Sequence, residues 1–167
     1  KMPKLERDTG QTWLGLDPGA AGGLALLGWD GSVETFALAN ATDRQVWDWL
    51  IVCKPSFAAI EKVGGYIGIG QPGSAMFQFG RSTGKLIGFL VAAGIPFEEV
   101  QPNLWQRDLG ITPRKKASKK GAGESKTEFK RRLRSRAEQL FPKARITNDV
   151  ADCLLIAEWC RRQRSNN

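Results

Sequence analysis

Short apolar runs separated by turn residues open the chain and predict three strands. The runs cover 12–16, 23–29 and 33–38, and the Asp30-Gly31 pair between the last two is a common hairpin turn. Because each tight turn reverses the chain, we expect an antiparallel meander at the start of the fold.

Helical periodicity alternates with short strands in the rest of the chain. Capping residues precede three of the predicted helices, and a Gly or Pro follows several of them. The predicted helices run from a cap at Thr42 to Lys54, over about 74–93, from Gln101 to Asp108, from a capping box at Ser125 and Glu128 to Phe141, and from a cap at Asn148 to about Arg164; the predicted strands are 57–60 and 96–100.

This order of elements predicts an α/β domain of three layers, with a mixed five-stranded sheet flanked by helices. We expect one domain over 12–164, with a basic loop and helix at 110–141 and short tails at 1–11 and 165–167. In the last helix, the spacing of apolar residues predicts one buried stripe, formed by Val150, Cys153, Leu154, Ala157 and Cys160.

The composition restricts both the chemistry and the compartment. The chain of 167 residues has no His, which excludes Ser-His-Asp triads, Cys-His dyads and His-containing zinc sites. Its three Cys lack CxxC spacing, so we expect reduced thiols of an intracellular protein. The longest apolar run, 86–97, is shorter than the roughly 18 residues that a membrane span needs, and no signal-peptide pattern begins the sequence.

Positive charge is concentrated in one segment. The net charge is +8, and 114–136 alone holds eleven basic and two acidic residues, so the remainder of the chain carries −1. This distribution indicates either a polyanion partner, with nucleic acid the first candidate, or a solvated charged loop.

Four carboxylates stand where strands end or a helix begins. Asp17 follows the first strand, Glu61 follows the fourth, and Asp149 and Asp152 lie on one side of the last helix. If the two strands are neighbours and the helix crosses their ends, the acids converge, and divalent cations with oxygen ligands relieve their repulsion. Each acid also has an ordinary explanation, as a turn residue, a surface acid or a partner of the helix dipole.

Three segments carry a family resemblance. LGLDPGAAGGLALL at 14–27, AAIEKV at 58–63 and NDVADCLLIAEW at 148–159 resemble the acidic motifs of RuvC-class Holliday-junction resolvases, in the ribonuclease H-like superfamily. The match spans nearly the whole chain, and 123–142 also resembles the family's penultimate helix. The Gly-rich 64–75 is more similar to the phage and chloroplast branches than to the bacterial one.

The resemblance implies a ribonuclease H-like fold and an endonuclease that cuts four-way DNA junctions, leaving 5′-phosphate and 3′-hydroxyl ends. Two Mg²⁺ ions, replaceable by Mn²⁺, would be held by Asp17, Glu61, Asp149 and Asp152. Asp17 would bridge both ions, and Lys126 would neutralise charge at the phosphate that is cut. The expected location is the bacterial cytoplasm or nucleoid, a phage-infected cell or an organelle stroma.

The same resemblance and the basic segment together predict a DNA-binding surface. Phosphate contacts would make affinity fall steeply with salt. The candidate DNA-binding residues are Tyr66, Arg81, Lys85, Arg114, Lys115, Lys116, Lys119, Lys120, Lys126, Lys130, Arg131 and Arg134. Of the aromatic residues near the junction core, Tyr66 is preferred, and core packing is expected for Phe77 and Phe79.

A four-way junction has two-fold symmetry, so paired cuts imply a homodimer. Gly80, Gly84 and Gly88 recur every four residues in the predicted helix over 74–93. We expect these glycines to let that helix pack closely on its own sheet, with a partner helix as the alternative.

Two other functions fit part of the pattern. The first acidic motif alone also fits actin-like or sugar-kinase ATPases, but these need a second lobe for which the chain has no room. A binding-only module of the same fold would have lost some of its acids, and all four are present.

Overall fold

The computed structural model describes residues 10–62, 73–115 and 123–165. The strands are β1 (Thr12–Asp17), β2 (Gly23–Gly28), β3 (Val33–Ala37), β4 (Phe57–Glu61) and β5 (Phe97–Val100). The helices are α1 (Asp43–Cys53), α2 (Gly73–Ala92), α3 (Pro102–Asp108), α4 (Lys126–Leu140) and α5 (Asn148–Ser165).

The five strands form one mixed sheet in the order β3-β2-β1-β4-β5. β1 and β3 both pair antiparallel with β2, which confirms the predicted meander. β4 returns after α1 and pairs parallel with β1, and β5 pairs parallel with β4. The central position of β1 brings the first and fourth strands together, as the convergence of the acids requires.

Alternating side chains of the strands build a separate core on each face of the sheet, which confirms the predicted three layers. Leu14 and Leu16 of β1 lie in the core shared with α1 and α2. Trp13 lies in the opposite core, which is shared with α3, α4 and α5. Since the strand period is two, Asp17 belongs to the same face as Trp13, the face that α5 covers.

Helix α5 is buried on all sides along most of its length. Every residue from Val150 to Cys160 is buried, including Asp152 and Glu158. The five residues of the predicted stripe are therefore buried as expected, but the residues between them are buried as well. The reason is that α5 lies between the sheet and the neighbouring helices α3 and α4. Asn148, predicted as the cap, is instead the first helical residue, and the amides of Val150 and Ala151 donate to the carbonyl of Thr147.

The glycines of α2 face open space, which contradicts the expectation that they pack on the sheet. A Cβ added at Gly80, Gly84 or Gly88 would meet no atom within 4 Å. The buried residues of α2 are Thr83, Leu86 and Leu90, on the other side of the helix. Among the helices that the structure describes, none is long and apolar enough to cross a membrane.

Candidate active site

Asp17 and Glu61 lie side by side at the carboxyl ends of two parallel strands. Leu16 of β1 is in register with Ile60 of β4, and the two acids are the next residues on their strands. Oδ1 of Asp17 accepts a hydrogen bond from the amide of Gly19 at 3.1 Å, which fixes the turn after β1. The predicted placement of these two acids at one edge of the sheet is therefore confirmed.

Helix α5 brings Asp152 to the same edge because Gly15 allows a very close approach. A Cβ at Gly15 would lie 2.0 Å from the carbonyl oxygen of Cys153 and 2.4 Å from the amide nitrogen of Ala157. Asp152, just before Cys153, is only 7% exposed. The charges of Asp17 and Asp152 both act on the pKa of Glu61, so three acids from three elements form an electrostatically coupled acidic cluster.

Glu61 is held by a buried tryptophan that no sequence motif indicated. The indole nitrogen of Trp105, which is fully buried in α3, donates to Oε2 of Glu61 at 3.0 Å. Burial, followed by repulsion from Asp17 and Asp152, raises the pKa of Glu61 to about 7. A tryptophan in a short helix after a Pro carries no sequence signal for this role.

Asp152 has one paired and one unpaired carboxylate oxygen. Its Oδ2 accepts a hydrogen bond from Nζ of Lys130 on α4, whereas its buried Oδ1 has no hydrogen-bond partner among the residues that the structure describes. Burial raises the pKa of Asp152, although the charge of Lys130 acts in the opposite direction. A buried carboxylate oxygen without a donor is costly unless a cation or water satisfies it.

Among the described basic residues, Lys130 contacts the acidic cluster, through its ion pair with Asp152. Burial lowers the pKa of its ammonium, but attraction to Asp152, Asp17 and Glu61 outweighs this and leaves the pKa raised. Lys126, for which the resemblance implied the catalytic contact, lies one turn earlier and is exposed. Its catalytic role stays a prediction.

The donor set of the cluster fits a divalent cation, but its present arrangement does not form a complete site. Across the described ranges, no group of three or more Asp, Glu, His or Cys residues is arranged so that it could hold a metal ion. Carboxylate oxygens are the ligands that Mg²⁺ and Mn²⁺ prefer, and the unpaired Oδ1 of Asp152 is available as one. Metal ligation by these acids stays a prediction.

Asp149 lies in the first turn of α5, three residues before Asp152, and is half-buried. Its backbone packs on the sheet, because a Cβ at Gly23 would lie 3.1 Å from its carbonyl oxygen. The role of Asp149 as a metal ligand stays a prediction.

Some of the candidate DNA-binding residues are exposed, and some form ion pairs within the protein. Arg81, Arg114, Lys115 and Arg131 are exposed. Lys85 pairs with Asp43, and Arg134 pairs with Glu138. Tyr66, Lys116, Lys119 and Lys120 lie outside the described residues.

Arg132 forms hydrogen bonds to residues at both ends of the segment 112–124. Its guanidinium binds both carboxylate oxygens of Glu124, at 3.0 and 2.9 Å, and donates to the carbonyl and hydroxyl oxygens of Thr112. The amide of Glu124 also donates to the carbonyl of Lys115 at 2.9 Å. Because these bonds join the two ends of 112–124, Arg132 has a structural role that its charge alone did not reveal.

Comparison with known proteins identifies the fold. No protein-family model and no curated protein matches the chain. Among solved structures, T. thermophilus RuvC in complex with a Holliday junction substrate is similar, with a TM-score of 0.59 and 15% identity over 93% of this chain and 98% of that one. A second Thermus thermophilus RuvC structure has a TM-score of 0.58 and 16% identity, covering 92% of this chain and 96% of the other.

These alignments cover nearly the whole of both chains and agree with the mixed five-stranded sheet and its flanking helices. The chain therefore has the ribonuclease H-like fold of the RuvC Holliday-junction resolvases.

Proposed function

We propose that this protein is a structure-selective endonuclease that resolves four-way DNA junctions by divalent-metal-dependent hydrolysis of phosphodiester bonds. The observation that carries the proposal is the acidic cluster of Asp17, Glu61 and Asp152, with its unpaired buried carboxylate oxygen, on a RuvC-like fold. A structural role alone would not explain why three acids from three elements share one edge of the sheet.

The protein's own residues prepare the site in distinct ways. Asp17, Glu61 and Asp152 would hold Mg²⁺ or Mn²⁺, which when bound activates water and stabilises the departing oxygen. Trp105 orients Glu61 through its indole hydrogen bond, and the turn at Gly19 orients Asp17. Lys130 supplies a positive charge next to the acids, where the DNA phosphate has to be accommodated.

DNA would be bound by basic side chains around this edge of the sheet. Lys126, Lys130, Arg131 and Arg134 all lie on α4, whose residue Lys130 contacts the acidic cluster. The segment 112–124, whose two ends Arg132 joins by hydrogen bonds, directly precedes the same helix. Contacts of this kind bind phosphates without reading sequence, so selectivity for junctions would rest on the geometry of the DNA.

We further propose that the protein acts as a homodimer and that α2 forms the contact. Phe77, for which core packing was expected, is instead 69% exposed. Val91 is 65% exposed, and both residues lie on the same face as the open glycines. Phe77 and Val91 each lie seven residues from Gly84, and Gly80 and Gly88 each lie four residues from it. If two copies of α2 packed antiparallel about a two-fold axis at Gly84, Phe77 of one copy would therefore lie next to Val91 of the other.

One observation favours a second candidate, a branched-DNA-binding module of this fold that does not cut. Lys130 already provides a cation for Asp152, so the acids are partly neutralised without metal. Retention of all the acids, whose mutual repulsion costs stability in a protein that only binds, favours the nuclease.

A four-way junction with labelled strands distinguishes the two candidates. We expect wild-type protein to nick it symmetrically in Mg²⁺, and Asp17→Asn, Glu61→Gln and Asp152→Asn to reduce the cutting rate by at least about 10²-fold while still binding the junction. Binding is followed by gel shift in EDTA, and a plain duplex serves as the substrate control.

Asp48→Asn is the matched control variant, because it removes one acid from α1 on the opposite face of the sheet. Its cutting rate should equal that of wild type. Junction binding without any Mg²⁺- or Mn²⁺-dependent cutting by wild type would support the binding module, and full activity in any of the three cluster variants would refute the assignment of that residue.

A further inference from the structure

We propose that Lys130 is the internal counter-cation of the metal-free acidic cluster, so that a divalent cation binds Asp152 by displacing the Lys130 ammonium. This inference rests on the proposed function, because it presumes that the acids are metal ligands. It assigns to Lys130 a role beyond contact with DNA, which is to set the affinity of the acidic cluster for the metal ion.

The first support is the geometry of the pair. Lys130 donates to Oδ2 of Asp152, the acid that α5 buries against β1. The other oxygen of that carboxylate has no hydrogen-bond partner within the described ranges. The Lys130 ammonium therefore already occupies one oxygen of Asp152, the acid proposed as a metal ligand. In this arrangement the described residues include no complete metal site.

The second support is that the charges of all three acids act on the Lys130 ammonium. The ammonium is attracted by Asp152, Asp17 and Glu61, so it neutralises the cluster as a whole and not just one surface partner. An ammonium and a divalent cation at the same carboxylates repel each other and compete for the same oxygen atoms. Binding of one is therefore expected to weaken binding of the other.

The third support is the difference in exposure between the partners. The Lys130 side chain is 47% exposed, whereas that of Asp152 is 10% exposed. A lysine has a long flexible stem and a strongly hydrated charge, so the ammonium can withdraw into solvent without any change in the fold. Asp152 is fixed in the buried part of α5 and cannot follow.

The test measures Mn²⁺ binding to the DNA-free protein by calorimetry, together with thermal unfolding in EDTA and in Mn²⁺. We expect Lys130→Met to bind Mn²⁺ about tenfold more tightly than wild type, equivalent to about 1.4 kcal/mol. In EDTA the same variant should unfold at a lower temperature, because its carboxylates have lost their cation. Added Mn²⁺ should raise its unfolding temperature more than that of wild type.

Two further variants separate competition from a general effect of charge. Lys143→Met removes the same charge from the loop after α4, which lines a cleft with the β2–β3 turn at the opposite end of the sheet, and should bind Mn²⁺ as wild type does. Lys130→Arg keeps a cation that pairs well with carboxylates, so its Mn²⁺ affinity should equal that of wild type or be lower. This variant also decides the question if Lys130→Met does not fold without metal.

The possible failures are distinguishable. Equal Mn²⁺ affinity of Lys130→Met and wild type, with binding lost in Asp152→Asn, would overturn the displacement and leave the proposed metal site intact. A higher affinity in Lys130→Arg would overturn it as well. If neither wild type nor Lys130→Met bound Mn²⁺, the metal site and therefore the proposed nuclease function would be refuted together with this inference.

Discussion

Glu61 shows how a single residue acquires its properties from its neighbours. Its carboxylate is buried at the end of β4, next to two other acids, and in the described part of the chain Trp105 alone donates a hydrogen bond to it. Burial and like charges both disfavour ionisation, and the single hydrogen bond is too weak to compensate. Glu61 therefore ionises near pH 7 in the folded metal-free protein, instead of near its ordinary value of 4.5.

This shift predicts a loss of stability as the pH rises. Below pH 4.5 Glu61 is protonated in both the folded and unfolded states, and its contribution to stability is fully present. Between pH 4.5 and about 7 only the unfolded state releases the proton, so the free energy of unfolding should fall, by about 3 kcal/mol at most. Above that range both states are ionised and the contribution of Glu61 stays lost.

Urea unfolding in EDTA at a series of pH values measures the effect, with Glu61→Gln as the control that cannot ionise. The stability of wild type relative to Glu61→Gln should fall across this window and level off above it. A difference that does not change with pH would show that Glu61 has an ordinary pKa. Mg²⁺ should remove part of the loss, because it favours the ionised carboxylate.

At the scale of elements, the contact between α5 and β1 brings the acids together. Gly15 has a buried neighbour on each side along β1, and the backbone of α5 lies directly above it. Backbone atoms cannot move aside as a flexible side chain can, so even a methyl group at this position would push α5 away from the sheet. That displacement would separate Asp152 from Asp17 and Glu61.

Gly15→Ala is therefore expected to destabilise the protein by about 1–3 kcal/mol or more. In protein that remains folded, it should also weaken Mn²⁺ binding, because Asp152 would be displaced. Chemical unfolding and calorimetry check the two effects. Gly73→Ala is the control, since a Cβ there meets no atom within 4 Å, so this variant should neither lower stability nor weaken Mn²⁺ binding. Wild-type stability in Gly15→Ala would contradict the close contact.

At the scale of the whole molecule, one helix face is left without a partner among the described residues. Phe77, Gly84 and Val91 line the exposed side of α2, whereas the opposite side is anchored in the core by Leu86 and Leu90. Exposed apolar residues beside a row of glycines, here Gly80, Gly84 and Gly88, favour close packing against another helix. The two-fold symmetry of a four-way junction makes a second copy of this chain the proposed partner.

Gly84→Gln tests this assembly. The variant should remain folded, because the position faces open space and Gln is a better helix former than Gly by several tenths of a kcal/mol. It should shift the protein from dimer to monomer in sedimentation equilibrium, and paired cutting of a junction should become single nicking. Gln78→Ala changes an exposed position of α2 away from the row of glycines, so this variant should stay dimeric. If Gly84→Gln also stayed dimeric, the interface would lie elsewhere.

The sequence by itself determined the elements and their order, because hydrophobic periodicity, caps and turns are local properties of the chain. The three-layer fold, the capping box at Ser125 and the strand-end positions of Asp17 and Glu61 were all predictable in this way. The missing His and the acidic motifs also indicated carboxylate chemistry, since both follow directly from the residue types and their spacing.

Only the tertiary structure decided which side chains meet across distant parts of the chain. The pairing of Lys130 with Asp152, the bond from Trp105 to Glu61 and the open face of Gly84 each depend on how elements pack. Local patterns specify which face of an element is apolar, but not which neighbour covers it or how closely. For that reason the sequence predicted an acidic site, whereas the structure revealed that the ammonium of Lys130 and the indole of Trp105 contact its acids.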